Sequence, residues 1–337
     1  MSSPLSFLIR TRGNHKQGMG DITGSLRLAE ALLQMGHDPL IAADPDREAV
    51  EFLRDAGWDR CVTISSINEE RELLRKRRPD VLVTYWVDNP PGYLEAVRGE
   101  VRFLAAVDDV TEAARRFANL RVNPLYPVEG ATNDMRFVTL APVFRELHAL
   151  PRRTETVKSI LVTQGGADTY GFTPMIVSGL SGVPEPVRIT VVLGPAFQHD
   201  RELDEALRNA SRRFDIIRNA RNMPDLLMEH DLVITAAGNT LFEAACTGIP
   251  AVIVCGEEFE DITARRFQKE GYGVNLGFGG RVTAANVRMA VERIMADEDA
   301  RRVMAEAGKR LVKGDGAALT AALIVERYQA KLVEEGR

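Results

Sequence analysis

Short, unbroken apolar runs alternate with helical patterns along nearly the whole chain. Ser6-Phe7-Leu8-Ile9-Arg10, Leu40-Ile41-Ala42-Ala43, Val62-Thr63-Ile64, Val81-Leu82-Val83-Thr84-Tyr85 and Phe103-Leu104-Ala105-Ala106-Val107 read as strands. Runs apolar at every position, not at every second one, belong to a parallel sheet covered on both faces. Between them, Ile22, Leu26, Ala29, Leu32 and Leu33 have helical spacing and Gly36 stands where a C-terminal cap belongs. Asp46 to Ala56 reads as the next helix. A second series begins at Ser159-Ile160-Leu161-Val162-Thr163 and continues through Ile189–Leu193, Asp215–Ile217, Leu232–Thr235 and Ala251–Cys255. Helices are expected near Thr283–Ala296, Asp297–Val312 and Ala317–Val333. The fold class is therefore α/β, with two Rossmann-like halves. At 337 residues the chain exceeds one ordinary core. The boundaries read as 1–150, 158–315 and a C-terminal helix over 316–337, with polar Leu150–Thr156 as the linker. That last helix packs back on the first domain or on a second copy in a homodimer. The stretch from Ala113 to Val138, rich in Arg, Asn and Pro, reads as irregular. Two such halves imply a cleft between them, with ligands at the carboxyl ends of the strands.

Composition removes several function classes. The net charge is −5 and basic residues are scattered, which gives no reason to expect a nucleic-acid partner. The one basic cluster, Arg71 to Arg78, ends a helix before Pro79. Cys61, Cys246 and Cys255 form no Cys-x-x-Cys pair and have no His at zinc spacing, so no metal is expected. An odd, small cysteine count suits a reducing cytoplasm. The N-terminus lacks a signal-peptide pattern, and no apolar run approaches the ~18 residues of a membrane span.

The segment Thr235-Ala236-Ala237-Gly238-Asn239-Thr240-Leu241-Phe242-Glu243 says most about function. A buried strand ends in small residues and turns into a helix stopped by Gly248 and Pro250. Free N–H groups and the positive helix end make such a turn an anion site. Glu243, one turn in, is placed to accept hydrogen bonds from ribose hydroxyls. Together they suggest a bound nucleoside diphosphate. Thr240 and Glu243 also have capping-box spacing, the competing reading.

Other candidates carry similar alternatives. Gly165-Gly166, after a buried strand, either approaches a diphosphate or makes an ordinary turn in which Asp168 or Thr169 caps the next helix. Gly18-Met19-Gly20-Asp21 is a weak dinucleotide fingerprint but a plausible glycine loop beside a sugar. Asp21 is either a general base or the N-cap of its helix. His15, in a polar loop, is a second candidate base. Asp108-Asp109 end an apolar strand and either contact a substrate or form a turn. His199 lies near the nucleotide or starts a helix.

Taken in order, several stretches resemble GT-B nucleotide-sugar enzymes. The resemblance is closest to the UDP-sugar hydrolases of the pseudaminic-acid pathway and their spore-coat polysaccharide relatives. It is more distant to the peptidoglycan N-acetylglucosaminyltransferases. Gly18-Met19-Gly20-Asp21 resembles a G-x-G-H loop. Val107-Asp108-Asp109 resembles I-D-D, and Leu140-Ala141-Pro142-Val143-Phe144-Arg145 resembles L-R-P-E-F. Val162 to Asp168 resembles V-S-F-G-G-S-D, Gly194 with Gln198-His199 a G-x-x-x-x-H turn, and Gly238 to Pro250 a G-x-x-x-x-E helix with its G-x-P exit.

The resemblance implies two facing Rossmann-like domains with an interdomain cleft. The second domain would hold the nucleotide through Gly165, Gly166, Asp168, Gly238, Asn239, Thr240 and Glu243. The first would supply Gly18, Gly20 and the catalytic group. Two positions depart from it. The hydrolases' catalytic His is Asp21 here, and an Asn-Gln pair expected after the Pro250 strand is Glu258-Phe259. Glu258, with Asp108, Asp109 and His199, is thus a candidate substrate contact. The expectation is a metal-independent, cytoplasmic glycosyltransferase that takes a UDP sugar as donor and needs no cofactor. Its acceptor would be a glycan or a lipid-linked molecule, in surface-glycan or sialic-acid-like metabolism. A UDP-sugar hydrolase and a non-catalytic nucleotide-sugar-binding protein remain the alternatives. A dehydrogenase fits less well, for want of a dinucleotide fingerprint.

Overall fold

Ten parallel strand pairings build two six-stranded sheets. The computed structural model describes residues 3–13 and 19–336. They divide into two units, 1–140 with 315–337, and 141–314.

The first unit contains strands β1 (Ser6–Thr11), β2 (Asp38–Ala43), β3 (Cys61–Thr63), β4 (Val81–Tyr85), β5 (Phe103–Val107) and β6 (Leu120–Val122). Helices α1 (Gly20–Gln34), α2 (Arg47–Asp55), α3 (Ile67–Arg77), α4 (Tyr93–Arg98) and α5 (Glu112–Phe117) alternate with them. The strand order is β3-β2-β1-β4-β5-β6, the Rossmann order, which reverses between β1 and β4. Adjacent residues of one strand enter different cores. Phe7 and Ile9 join Ile22, Leu26 and Leu32 of α1 on one face, and Leu8 joins Leu74, Leu94 and Val97 on the other. This two-sided burial explains the unbroken apolar runs.

The second unit opens with helix α6 (Val143–Ala149) and carries strands β7 (Ser159–Thr163), β8 (Arg188–Leu193), β9 (Asp215–Arg218), β10 (Leu232–Thr235), β11 (Ala251–Cys255) and β12 (Val274–Phe278). Its other helices are α7 (Phe172–Leu180), α8 (Asp200–Arg208), α9 (Met223–Glu229), α10 (Asn239–Thr247), α11 (Glu260–Lys269), α12 (Ala284–Ala296) and α13 (Glu298–Leu311). The order β12-β11-β10-β7-β8-β9 repeats the Rossmann pattern and reverses between β7 and β10. One face of this sheet packs on α7 and α12.

Three sequence expectations change. The boundary moves from 150 to 140, because Phe144 is buried, α6 packs on α10, and Cys246 Sγ donates to the Phe144 carbonyl at 3.3 Å. The stretch expected to be irregular holds α5 and the edge strand β6, whose three residues are too few to show a period. Strand β12 was not foreseen, since Asn275 and Gly277 interrupt its apolar run.

Helix α14 (Gly316–Glu334) packs on α1 of the first unit. Tyr328 Oη donates to Asp80 at 3.0 Å, and Thr320 Oγ1 donates to the Phe137 carbonyl at 2.9 Å. The helix starts so close to residues 136–138 that a Cβ on Gly316 would overlap the Val138 carbonyl and lie 2.6 Å from that of Arg136. Backbone atoms cannot swing aside. Gly316→Ala is therefore expected to lower stability by about 1–3 kcal/mol in denaturant titration. Gly99→Ala, with nothing within 4 Å of its new Cβ, serves as the control and should leave the midpoint unchanged.

Candidate functional site

In the second unit the reversal of strand order sets the loops after β7 and β10 side by side. After β10, Ala236 and Ala237 are buried, and extended Gly238 leads into α10. Gly238 is the N-cap and no side chain caps the helix. Thr240 is the second helical residue and Glu243 the fifth, so the capping-box register, which needs cap and third position, is not formed. Asn239 and Glu243 are four residues apart and share one helix face; both are half-buried. An uncapped N-terminus with a carboxylate one turn in can take an anion and the hydroxyls attached to it.

Glu260, not singled out by its sequence, holds this turn in place. Its buried carboxylate accepts from the Gly256 N–H at 2.7 Å and from those of Glu257 and Ala237 at 3.4 Å each. Burial raises its pKa, and the three N–H groups oppose that. The only sequence signal was an acid opening a helix. Glu258, the residue foreseen there, is exposed and paired with Arg281 at 2.5 Å.

After β7, Gly165 has φ +73°, which only glycine adopts without strain. The loop is clamped by Gly194, where a Cβ would overlap the Gly166 carbonyl and lie 2.5 Å from that of Gly165. Ala196 N–H donates to the Gly166 carbonyl at 2.9 Å. Asp168 is corrected from ligand contact to cap: its two oxygens accept from Phe172 N–H at 2.8 Å and Thr173 N–H at 2.9 Å. His199 also braces this loop. Its ring packs against Gly171, and its Nε2 lies 3.4 Å from the Thr169 carbonyl.

In the first unit a cluster of ionisable groups gathers at the carboxyl ends of β1, β4 and β5. Gly20 opens α1 and Asp21 follows. Met19 is the N-cap and no side chain caps the helix, so Asp21 is not the cap. Its carboxylate lies 3.7 Å from Arg12 Nε. Arg12 also pairs with Asp88 and lies over the Trp86 ring, 5.7 Å from its centroid. Burial pushes the Asp21 pKa up to about 7, with Arg12 pulling down and Asp88 pushing up. Asp108 is buried in a left-handed conformation with φ 57° and accepts from Leu125 N–H at 3.3 Å. Burial raises its pKa to about 7 as well. Leu125 N–H opposes the shift and the Asp21 charge adds to it. The Tyr85 hydroxyl, near enough to Asp108 to pull its pKa down, lies 2.5 Å from Thr139 Oγ1. A Cβ on Gly24, one turn along α1 from Asp21, would overlap the Tyr85 hydroxyl.

Asp109 is a turn residue rather than a substrate contact. It is fully buried, accepts from Thr111 N–H at 2.8 Å and is bonded by Asn89. Arg12, Tyr85, Trp86 and Asp88 escaped the sequence reading, although Tyr85 and Trp86 ending an apolar run were a usable signal. His15 and Gly18 lie outside the described residues. Among the described residues no group of three or more His, Cys, Asp or Glu converges to hold a metal ion.

No protein-family model matches the chain. It is 22% identical over 336 residues to the spore coat polysaccharide biosynthesis protein SpsG of Bacillus subtilis, covering 95% of this chain and 98% of that one. An uncharacterised Methanocaldococcus jannaschii protein is 25% identical over 276 residues, and the match spans 76% of this chain and 57% of that protein's length. Among solved structures, MurG of Acinetobacter baumannii aligns with a TM-score of 0.69 at 14% identity, covering 95% of this chain and 99% of its own. Anabaena HepE, solved with UDP and glucose, aligns at 0.62 and 13% identity, covering 98% and 99%. The fold is GT-B: two Rossmann-like domains, each with a six-stranded parallel sheet flanked by helices.

Two outcomes follow from this geometry. Asp108 is protonated below about pH 7 in the folded protein but only below about pH 4 when unfolded. Folding therefore takes up a proton between these values, and stability falls as pH rises through that window. Asp108→Asn should flatten the fall and stabilise the protein by roughly 1–3 kcal/mol at pH 8, read by denaturant midpoints at pH 5 and 8. Gly194→Ala should displace the Gly165-Gly166 loop and cost about 1–3 kcal/mol in the same assay.

Proposed function

We propose that the chain is a glycosyltransferase that uses a nucleotide sugar, with UDP as the nucleotide. The observation that carries this is the uncapped start of α10 with Glu243 on its face, beside the glycine loop after β7. The diphosphate lies on the N–H groups of Asn239 and Thr240 and against Gly165-Gly166, and Glu243 accepts from the ribose hydroxyls. As the sugar leaves, charge builds on the diphosphate. The helix end and the N–H groups stabilise it, so the reaction needs no metal and no cofactor. SpsG supports a place in surface-polysaccharide synthesis, and the HepE complex supports UDP, since both span nearly all of this chain.

Asp21 acts as the general base. Its carboxylate takes the proton from the acceptor hydroxyl as the hydroxyl oxygen bonds to the anomeric carbon and the bond to the diphosphate breaks. A pKa of about 7 suits that task near neutral pH. The acceptor is a glycan or a lipid-linked sugar, and the reaction is cytoplasmic. Among the described residues no helix is long and apolar enough to cross a membrane.

UDP at 100 times its Kd should stabilise the protein by about 2.7 kcal/mol, read as a thermal shift. Stabilisation by NAD alone removes the proposal. UDP release from a UDP sugar should require an added acceptor and fall by about 10²–10⁴ in Asp21→Asn. Release without any acceptor identifies a hydrolase instead, and tight binding with no release identifies a binding protein. The rate should rise with pH through about 7 as Asp21 loses its proton, and this limb should be absent from the residual activity of the variant.

A further inference from the structure

Gln164 follows the last residue of β7 and is 6% exposed, yet neither its Nε2 nor its Oε1 has a hydrogen-bond partner among the described residues. The alternation that turns Ile160 and Val162 into the core beneath α7 and α12 puts Gln164 in the same row. Burying a carboxamide with both ends unpaired is strongly unfavourable, and folded proteins seldom keep one without a use. Nor does it stand alone. Thr235 Oγ1, which ends the adjacent strand β10 opposite Thr163, is also buried and unpartnered. Both sit at the carboxyl edge where the strand order reverses, and Gln164 immediately precedes Gly165-Gly166.

The chemistry of the missing partner can be narrowed. A carboxamide offers two N–H donors and one acceptor oxygen. A diphosphate has only acceptors and would leave Oε1 unpaired beside negative charge. A sugar hydroxyl both donates and accepts, and satisfies the amide without adding charge. Another candidate substrate contact in this half is already paired. Where the resembling enzymes carry Asn-Gln, this chain has Glu258-Phe259, and Glu258 is bound to Arg281. Only β10 separates β7 from β11, the strand preceding that pair, so the two carboxyl edges lie about 10 Å apart. The V-S-F-G-G-S-D pattern has Phe where Gln164 stands.

Resting on the nucleotide-sugar reading above, we propose that Gln164 reads a hydroxyl of the sugar carried by the diphosphate and sets the donor preference. The test is calorimetric titration of UDP, UDP-glucose, UDP-galactose and UDP-N-acetylglucosamine into the wild-type protein and Gln164→Met, an unbranched replacement of similar length. The variant should melt no lower than the wild type without ligand, because it no longer buries an unpaired amide. Its Kd for UDP should stay within twofold, and its affinity for the preferred UDP sugar should fall about tenfold. A matching deoxy sugar should lose the same factor on the wild type and nothing further on the variant. That arm reads the contact in the wild-type protein, whatever Met does to the fold. Unchanged affinity for every UDP sugar, or equal weakening of UDP and its sugars, overturns the assignment while the nucleotide site stands. Wild-type protein that binds none of the four refutes the nucleotide reading itself.

Discussion

In each half the strand order reverses once, and the rest of the candidate chemistry depends on that reversal. Right-handed crossovers starting from either side of a reversal carry their helices to opposite faces of the sheet. The loops after the two central strands therefore diverge, and the carboxyl edge between them is left uncovered. In the second half α7 follows β7 onto the face shared with α12, while α10 follows β10 and packs with α13 and α9. The Gly165-Gly166 loop and the start of α10 stand on either side of that edge. In the first half α1 and α4 diverge in the same way, and Asp21, Tyr85 and Asp108 stand at the strand ends between.

Small residues and committed carboxylates shape these edges. Gly194 lets one loop lie on another, and Gly24 lets Tyr85 reach α1. Asp168 fixes the start of α7 and Glu260 fixes the turn before α10, so both acids position backbone rather than meet a ligand. Asp21 and Asp108 differ from them. Among the described residues each has fewer donors than burial demands, and each is held partly protonated near neutral pH as a result. A carboxylate kept in that state is suited to exchanging protons.

The fold was largely legible because its strands are buried on both sides and their apolar runs stand out. What escaped were short or interrupted edge strands: β6 with three residues and β12 broken by Asn275 and Gly277. The start of α10 was readable as an anion site, but the choice between ligand and capping box for Glu243 hung on helix register, which only the backbone shows. Asp168 and Asp109 look in sequence like any acid after a strand. Their roles are set by which N–H groups lie within 3 Å, a matter of loop geometry. The approach of Tyr85 to Asp108 brings together the end of β4 and the residue after β5, and the unpaired amide of Gln164 depends on everything packed around it. Neither leaves a local pattern in the chain.

A crystal structure of the protein grown with UDP tests the central claim most directly. The diphosphate should lie within hydrogen-bonding distance of the Asn239 and Thr240 N–H groups, with the ribose hydroxyls on Glu243. Density for UDP at another place, with the start of α10 unoccupied, would contradict it.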